Sequence, residues 1–370
     1  MPVVRIVLSF LSLLLLLSVL LAGSASACTG VRLIAKNGDT VYGRTMEWGT
    51  FDLESRVAVV PRGHAFAGLT PDGPNGKRWK GAYGFVALDM LHKEIFADGM
   101  NEKGLTVGLF YHPGFETYPV YERAKAGESI TATDVVSYIL SQCAGVDEAL
   151  AAMKKVRVVP VVEPSIGIPV EGHWMVTEPS GKSVVIEFHD HVMHVYDNPL
   201  GVITNSPGYD WHMTNLRNYV NLSAVAVPTK RIEDMNFKPL GGGSGMIGLP
   251  GDFTPPSRFV RAVAWSQTAR PLPDAGEAVY ELFRILDNFD VPLGASEGPE
   301  AEGQKGMRSD TQWTTAWDTA DKVFYFHTQH NRRVREVDLK RLDFAGTDIR
   351  HIPMDARKAQ DVKDITDGNS

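Results

Sequence analysis

The chain has 370 residues, 44% of them hydrophobic, a net charge of −7 and two cysteines. That length and composition are enough to bury a substantial core. No long basic run is present, so neither nucleic acid nor an anionic membrane surface is an evident partner. The substrate has to be argued from individual residues.

Residues 1–27, MPVVRIVLSFLSLLLLLSVLLAGSASA, combine a basic Arg5, a leucine-rich run from Ile6 to Leu21 and small residues ending in Ala25-Ser26-Ala27. This pattern reads as a secretory signal peptide with an A-x-A cleavage site. The apolar run is near the lower limit for a membrane span and no charged stop-transfer segment follows it, so stable membrane insertion is not expected. Ser24 stands where a lipoprotein would need its cysteine. Cleavage after Ala27 makes Cys28 the first residue of an exported, periplasmic chain, 28–370, expected to form one domain with a polar tail that frays from about Asp361.

From Cys28, TGVRLIAKNGDTVYGRTMEW reads as two strands joined at Asn37-Gly38, a dipeptide that tolerates the positive φ of a tight hairpin turn. The stretch from Gly68 to Gly76 is a Gly/Pro-rich loop, and GFVALD through GLTVGLFY supplies further strands around the turn Asn101-Glu102-Lys103-Gly104. Helical spacing covers Thr133 to Ala144 and then Val146 to Lys155. Strand patterns return in HWMVTEP, SVVIEFH and HVMHVYD; GGGSGMIGLPGD is an irregular connection. SRFVRAVAWSQTA and GEAVYELFRILDNF form a helical pair, and KVFYFHTQ and VREVDL are closing strands. This order, without an internal repeat, points to layered α+β packing with largely antiparallel sheets.

The two cysteines could pair as Cys28 with Cys143. Cys143, however, falls with Val135, Val136, Ile139 and Leu140 on one helical face, which makes it a small core residue. Cys28 is then a free thiol at a chain end. An amino-terminal cysteine carries two functions at once: its thiolate can attack an amide carbonyl, and its own α-amino group, with an ordinary pKa of roughly 7.7 to 8.0, can serve as general base. The competing reading is a buried terminal thiol with cleavage a residue or two away.

Five stretches supply context: C-T-G at Cys28, G-R-T-M-E-W from Gly43, N-E-K-G-L from Asn101 with G-L-F-Y following, T-N-S-P-G-Y-D-W-H-x-x-N-L-R-N-Y from Thr204, and G-L-P-G-D-F-T-P-P-S-R-F-V-R from Gly248. On these the chain resembles the choloylglycine hydrolase group of N-terminal nucleophile hydrolases, which contains penicillin V acylases and bile salt hydrolases. The resemblance implies a four-layer αββα sandwich, two antiparallel sheets between helix layers, acting on linear amides without a cofactor and as a homotetramer. It places Arg44 beside the Cys28 thiol, where a fixed positive charge favours thiolate. It makes Asn205 an oxyanion donor through its side-chain NH₂, with the backbone N–H of Phe110 as the second donor, and Arg258 an electrostatic partner of the site.

One position departs from the family pattern. The resemblance implies an Asp after G-R-x-x, whereas this chain has Glu47, a longer carboxylate assigned the same role of holding the terminal amine and thiol. Strict alternation would put Arg44 and Glu47 on opposite faces, so a bulge or strand end is expected between them. Asp252 is the other carboxylate to consider. Met46, Trp48 and Tyr111 are the expected substrate-binding residues, Trp48 resembling an aromatic of Gram-negative penicillin V acylases and suited to an aryl or acyl tail. Phe51 and Phe85 are further candidates for that wall.

Other signals are set aside. Gly243-x-Gly245-x-x-Gly248 fits the dinucleotide glycine pattern, but Leu249-Pro250-Gly251 follows where a helix should open. His189, His191 and His194 lie in alternating strand sequence without a ligand motif, so no metal is expected. The expected substrate is a small-molecule amide with an apolar or aromatic acyl group: a phenoxyacetyl penicillin, an N-acyl homoserine lactone, or a glycine or taurine conjugate of a bile acid. The leader and Trp48 favour the first two. A binding protein that has lost catalysis, for which Glu47 speaks, is the alternative of another class; a cysteine peptidase lacks a recognisable Cys/His/Asn arrangement.

Overall fold

The computed structural model describes residues 28–49, 51–297, 309–366 and 368. The leader, 1–27, lies outside the described residues. In chain order the main elements are β1 (Cys28–Ile34), β2 (Thr40–Trp48), β3 (Arg56–Val60), β4 (Phe85–Met90), β5 (Lys93–Asn101), β6 (Thr106–Tyr111), α1 (Val135–Gln142), α2 (Val146–Met153), β7 (Gly172–Thr177), β8 (Ser183–His189), β9 (Val192–Asp197), β10 (Val202–Ile203), α3 (Tyr209–Asn215), α4 (Pro255–Thr268), α5 (Ala275–Leu286), β11 (Asp310–Asp318), β12 (Val323–Thr328), β13 (Arg335–Asp338) and β14 (Arg350–Pro353).

Two sheets carry the fold. A six-stranded sheet runs β10-β1-β2-β11-β12-β13 and an eight-stranded sheet runs β9-β8-β7-β6-β5-β4-β3-β14. Neighbours in both pair antiparallel. Helices α4 and α5 cover the six-stranded sheet, and α1 and α2 cover the eight-stranded one, which is the expected αββα layering. One apolar cluster fills the space between the sheets and under α4 and α5; a second lies beneath α1 and α2. A strand covered on both faces has no solvent side, and all nine residues of β2 are buried.

The helices start where local chemistry dictates. Before α1, Thr131 and Asp134 form a capping box, with the Asp134 carboxylate accepting from the Thr131 N–H at 2.9 Å. Asp274 caps α5 by accepting from Glu277 N–H at 3.1 Å. Both α1 and α2 are shorter than their apolar spacing suggests, and β3, α3 and β11 are elements that alternation does not reveal. Cys143 sits just past the end of α1, buried, with its carbonyl held by Asn101 Nδ2 at 2.7 Å. Both cysteines are free, and burial pushes the Cys143 thiol up to about 12.

The glycine of C-T-G has a packing reason. A Cβ on Gly30 would stand 2.6 Å from Phe110 Cζ and 2.8 Å from Ile203 Cγ2, so this position brings the Phe110 ring of the facing sheet onto β1. Gly30→Ala is therefore expected to cost about 1 to 3 kcal/mol through overpacking. Urea denaturation of the two proteins measures it, and equal midpoints would show that the sheets separate freely here.

Candidate active site

The pairing of β1 with β2 sets Cys28 opposite Met46 and Gly30 opposite Arg44. Directly opposed residues share a face, so Cys28, Arg44 and Met46 look into the space between the sheets. Cys28 is 1% exposed, and its Sγ lies 3.9 Å from Met46 Sδ.

Arg44 is fully buried. Its guanidinium stacks 4.2 Å from the Phe110 ring centroid. It donates through Nη1 to the carbonyls of Ala97, at 3.1 Å, and Leu109, and through Nε to Thr45 O at 3.2 Å. Burial works against its charge, but the fields of Cys28, Tyr42, Asp98 and Glu47 prevail and hold its pKa above the ordinary value. Asp98 is the nearby buried carboxylate that motif reasoning missed. It accepts from Thr315 Oγ1 at 2.8 Å and Trp317 Nε1 at 2.7 Å, and burial lifts it to about 6 against the pull of Arg44. An acid inside the apolar run IFADGM was the available signal.

The main chain of Cys28 meets a second buried guanidinium. Arg258, in the first turn of α4, donates through Nη1 to the Cys28 carbonyl and to Thr29 Oγ1 at 2.9 Å, and through Nη2 to Asn205 Oδ1 at 2.6 Å. Asn205 Oδ1 also accepts from the Cys28 N–H at 2.8 Å, and its Nδ2 donates to Tyr111 O at 2.6 Å. Burial brings Arg258 down to about 10, against the fields of Glu47 and Cys28, so it stays charged at neutral pH. Asp252 is exposed and accepts from Thr254 N–H at 2.8 Å and Ser257 Oγ at 2.7 Å, which shapes the start of α4.

Two sequence expectations need correction. The β1–β2 pairing is regular from Thr40 to Met46, where β1 begins, and the bulge lies in β11, between Thr311 and Trp313, across from Met46 and Glu47. Glu47 therefore faces the helix side of the sheet, away from Arg44, where its Oε1 accepts from Thr311 Oγ1 at 2.9 Å and its charge acts on Arg258. The second correction concerns Phe110. His112 N–H donates to Glu171 O at 2.8 Å and Phe110 lies opposite His173, so ladder alternation turns the Phe110 N–H toward β7. Gly172, opposite Tyr111, spends both its N–H and its C=O on the Tyr118 hydroxyl, at 2.7 and 2.8 Å. Thus it is the Tyr111 N–H that faces the edge where Asn205 lies.

Beside the thiol opens a cavity of about 650 Å³, counting its open mouth. Met46, Trp48 and Tyr111 line it, as do Leu53, Met90, Leu91, Ile95 and Ala97, and the hairpin Val162–Glu163 with Ile168–Pro169 closes it. Trp48 meets Phe51 and Tyr111 edge-on, each at 6.0 Å between centroids. Phe85 is elsewhere, in the cluster under α1 with Phe66 and Phe96. Neither the turn at Met90-Leu91 nor the short hairpin carries a motif that would have revealed this lining.

Among the described residues, His112, His173 and Glu187 form a group that could be considered for a metal. The two rings are parallel, 3° apart with centroids at 4.2 Å. Imidazole lone pairs lie in the ring plane, so two stacked rings cannot both aim at one ion about 2.0 to 2.1 Å away. The group is instead a hydrogen-bonded network, in which His173 Nδ1 and His189 Nε2 meet Glu187 at 2.8 and 2.9 Å. His191 Nδ1 bonds the Tyr118 carbonyl at 2.7 Å, and the exposed His194 stacks loosely on Tyr196.

A buried cysteine beside an apolar cavity, its carbonyl on Arg258, its N–H on Asn205 and the charge of Arg44 close by, is the candidate nucleophile of this αββα sandwich. Residues 28–352 match the family of linear amide C–N hydrolases, choloylglycine hydrolase family, and the chain belongs to that family. It is 31% identical over 329 residues to a bile salt hydrolase/transferase of Clostridium perfringens, covering 87% of this chain and 95% of that one. It is 26% identical over 346 residues to a penicillin V acylase of Pectobacterium atrosepticum, 86% and 82% of the two chains. The conjugated bile acid hydrolase structure from Clostridium perfringens superposes with a TM-score of 0.80 at 28% identity, over 92% of this chain and 100% of that one. The protein is thus an amidohydrolase acting on linear amides.

Burial is the leading influence on Glu47, raising it from 4.5 to about 7 against the charge of Arg258 and hydrogen bonds from Thr45 and Thr311. The folded chain then holds this proton more tightly than the unfolded chain does. Its contribution to stability is complete below the unfolded value and fades as pH rises through about 7. The stability of the parent relative to Glu47→Gln should accordingly fall between pH 4.5 and 7. Chemical denaturation across that range tests this; a constant difference would mean that the carboxyl is ionised throughout.

Proposed function

We propose that the mature protein begins at Cys28 and hydrolyses amides of a bulky apolar carboxylic acid, glycine or taurine conjugates of bile acids first among them. The observation that carries this is the Cys28 thiol opening onto a cavity lined almost wholly by apolar side chains. The bile salt hydrolase relative, at 31% identity over 95% of its length, supports the conjugate substrate over a penicillin. This reverses the ranking that Trp48 and the leader suggest from sequence alone. A phenoxyacetyl penicillin is the second reading, favoured by the aromatic corner of Trp48, Phe51 and Tyr111.

In the mechanism the α-amine of Cys28 accepts the thiol proton and Sγ attacks the amide carbonyl, which is poised at the cavity mouth. The oxyanion is met by the Tyr111 N–H and by the Asn205 Nδ2–H that is not spent on Tyr111 O, since an amide NH₂ has two donors. Arg44 favours the thiolate from the cavity side. Arg258 and Asn205 fix the Cys28 main chain, and with it the amine. The α-ammonium then protonates the leaving amine, and water attacks the thioester to release the acid. Glu47, on the helix face, steadies the charge of Arg258. Export through the 1–27 leader supplies the free amine on which the base depends. Among the described residues no helix is long and apolar enough to cross a membrane.

Turnover of glycocholate, taurocholate, phenoxymethyl penicillin and an acyl homoserine lactone by the mature chain tests the reading. Hydrolysis of the conjugates in preference to the others is expected, Cys28→Ala should lose it with the fold intact, and one added residue before Cys28 should do the same by converting the amine to an amide. A protein that binds these amides and turns over none is a binding protein, and the reading fails.

A further inference from the structure

Asn205 is fixed from two sides. Its side chain lies against Cys28, Arg258 and Tyr111 as described, and its main chain is held by imidazoles. The Asn205 carbonyl accepts from His212 Nε2 at 2.9 Å, and the preceding carbonyl, of Thr204, accepts from His173 Nε2 at 3.0 Å. A carbonyl oxygen brings no hydrogen, so each ring nitrogen is a donor.

For His212 the protonation state follows from its surroundings. Burial pushes the ring down to about 4, so it is neutral near pH 7 with its single proton on Nε2. The ring stacks on Phe259 of α4 at 4.7 Å with 12° between planes, one residue along from Arg258. His212 thus ties the Asn205 main chain to the helix that supplies Arg258. The other tie, His173, rests on Glu187, whose carboxylate also accepts from the Tyr209 N–H at the start of α3, at 3.0 and 3.2 Å.

We propose that His212 is a positioning residue for the oxyanion contact: by holding the Asn205 carbonyl it fixes where the Asn205 amide group presents its second N–H. The assignment rests on Asn205 acting as an oxyanion donor in the amide hydrolysis set out above. Without the Nε2–H, a buried carbonyl loses its donor and the peptide rotates to find another. The Asn205 side chain moves with it, and a displacement of about 1 Å at a reacting centre costs on the order of 10²-fold in rate. The apolar cavity is built from other elements, so the loss falls on the transition state more than on substrate binding.

Two substitutions separate the hydrogen bond from the shape of the ring. His212→Phe keeps a ring against Phe259 and removes the donor; His212→Gln keeps an N–H donor. With the mature chain and glycocholate, or whichever amide of the panel the parent cleaves, His212→Phe should lower kcat about 10- to 100-fold with little change in KM. His212→Gln should recover most of that loss, and Cys28 should react with iodoacetamide at the parental rate in both. Parental kcat in His212→Phe, equal losses in Phe and Gln, or slowed alkylation would each overturn the assignment. Should His212→Phe not fold, His212→Leu against His212→Gln makes the same comparison. A parent that cleaves no amide removes the hydrolase reading and the assignment together, whereas an active parent with an unaffected variant removes only the assignment.

Discussion

The site depends on the place where β5 and β6 part. Their ladder runs from Met100 opposite Thr106 to Asp98 opposite Gly108 and stops. Beyond it, the carbonyls of Ala97 and Leu109 would be buried without a strand partner, a costly arrangement. Arg44 supplies the missing donor to both. Because these hydrogen bonds hold the parted strands, the gap becomes a cavity lined by Ile95, Ala97, Leu109 and Tyr111 with Cys28 beside it. The two hydrogens of Nη1 serve these two carbonyls while Nε serves a third, that of Thr45, so one planar group satisfies three acceptors.

A buried charge needs compensation, and here the compensation is divided between the two faces of one strand pair. Arg44 between the sheets has Asp98, and Arg258 on the helix face has Glu47. Each cation is also surrounded by main-chain carbonyls, which lessen the desolvation that burial imposes. Cys28 sits between them, its Sγ toward Arg44 and its carbonyl on Arg258. Cys28 is therefore fixed by main-chain contacts that leave its thiol facing the cavity. The free rotamer of a surface cysteine would have to be ordered during the reaction at an entropic cost.

How much of the fold the sequence reveals depends on the physical signals each element carries. The hairpin at Asn37-Gly38, the helices α1, α2, α4 and α5, and the strand triplet from Gly172 to Asp197 were legible because periodicity or turn chemistry marks each one. β11 was not. Its residues, DTQWTTAWD, are threonine-rich and buried on both faces, and alternation vanishes when neither face meets water. The motif segments placed Cys28, Arg44, Asn205 and Arg258 in one site, while the wall from Met90, Leu91 and Ile168 depends on a turn and a hairpin brought together only by tertiary packing.

Where sequence reasoning misplaced a donor or a face, the period of a strand explains it. Successive residues of a strand point their N–H groups to alternate edges and their side chains to alternate faces, so an offset of one residue reverses both. Phe110 and Tyr111 differ by one position, and the G-L-F-Y motif cannot say which N–H turns to the edge where Asn205 lies; that is decided by the pairing of Phe110 with His173, across the sheet. The side-chain consequence follows the same rule. Phe110 directs its ring onto Arg44 and Gly30 between the sheets, and Tyr111 directs its own toward Trp48 in the cavity wall. One dipeptide thereby holds the cation with its first side chain and turns the N–H of its second toward the edge where Asn205 lies. Register in β6, more than the identity of either residue, is what couples the cavity wall to the surroundings of Cys28.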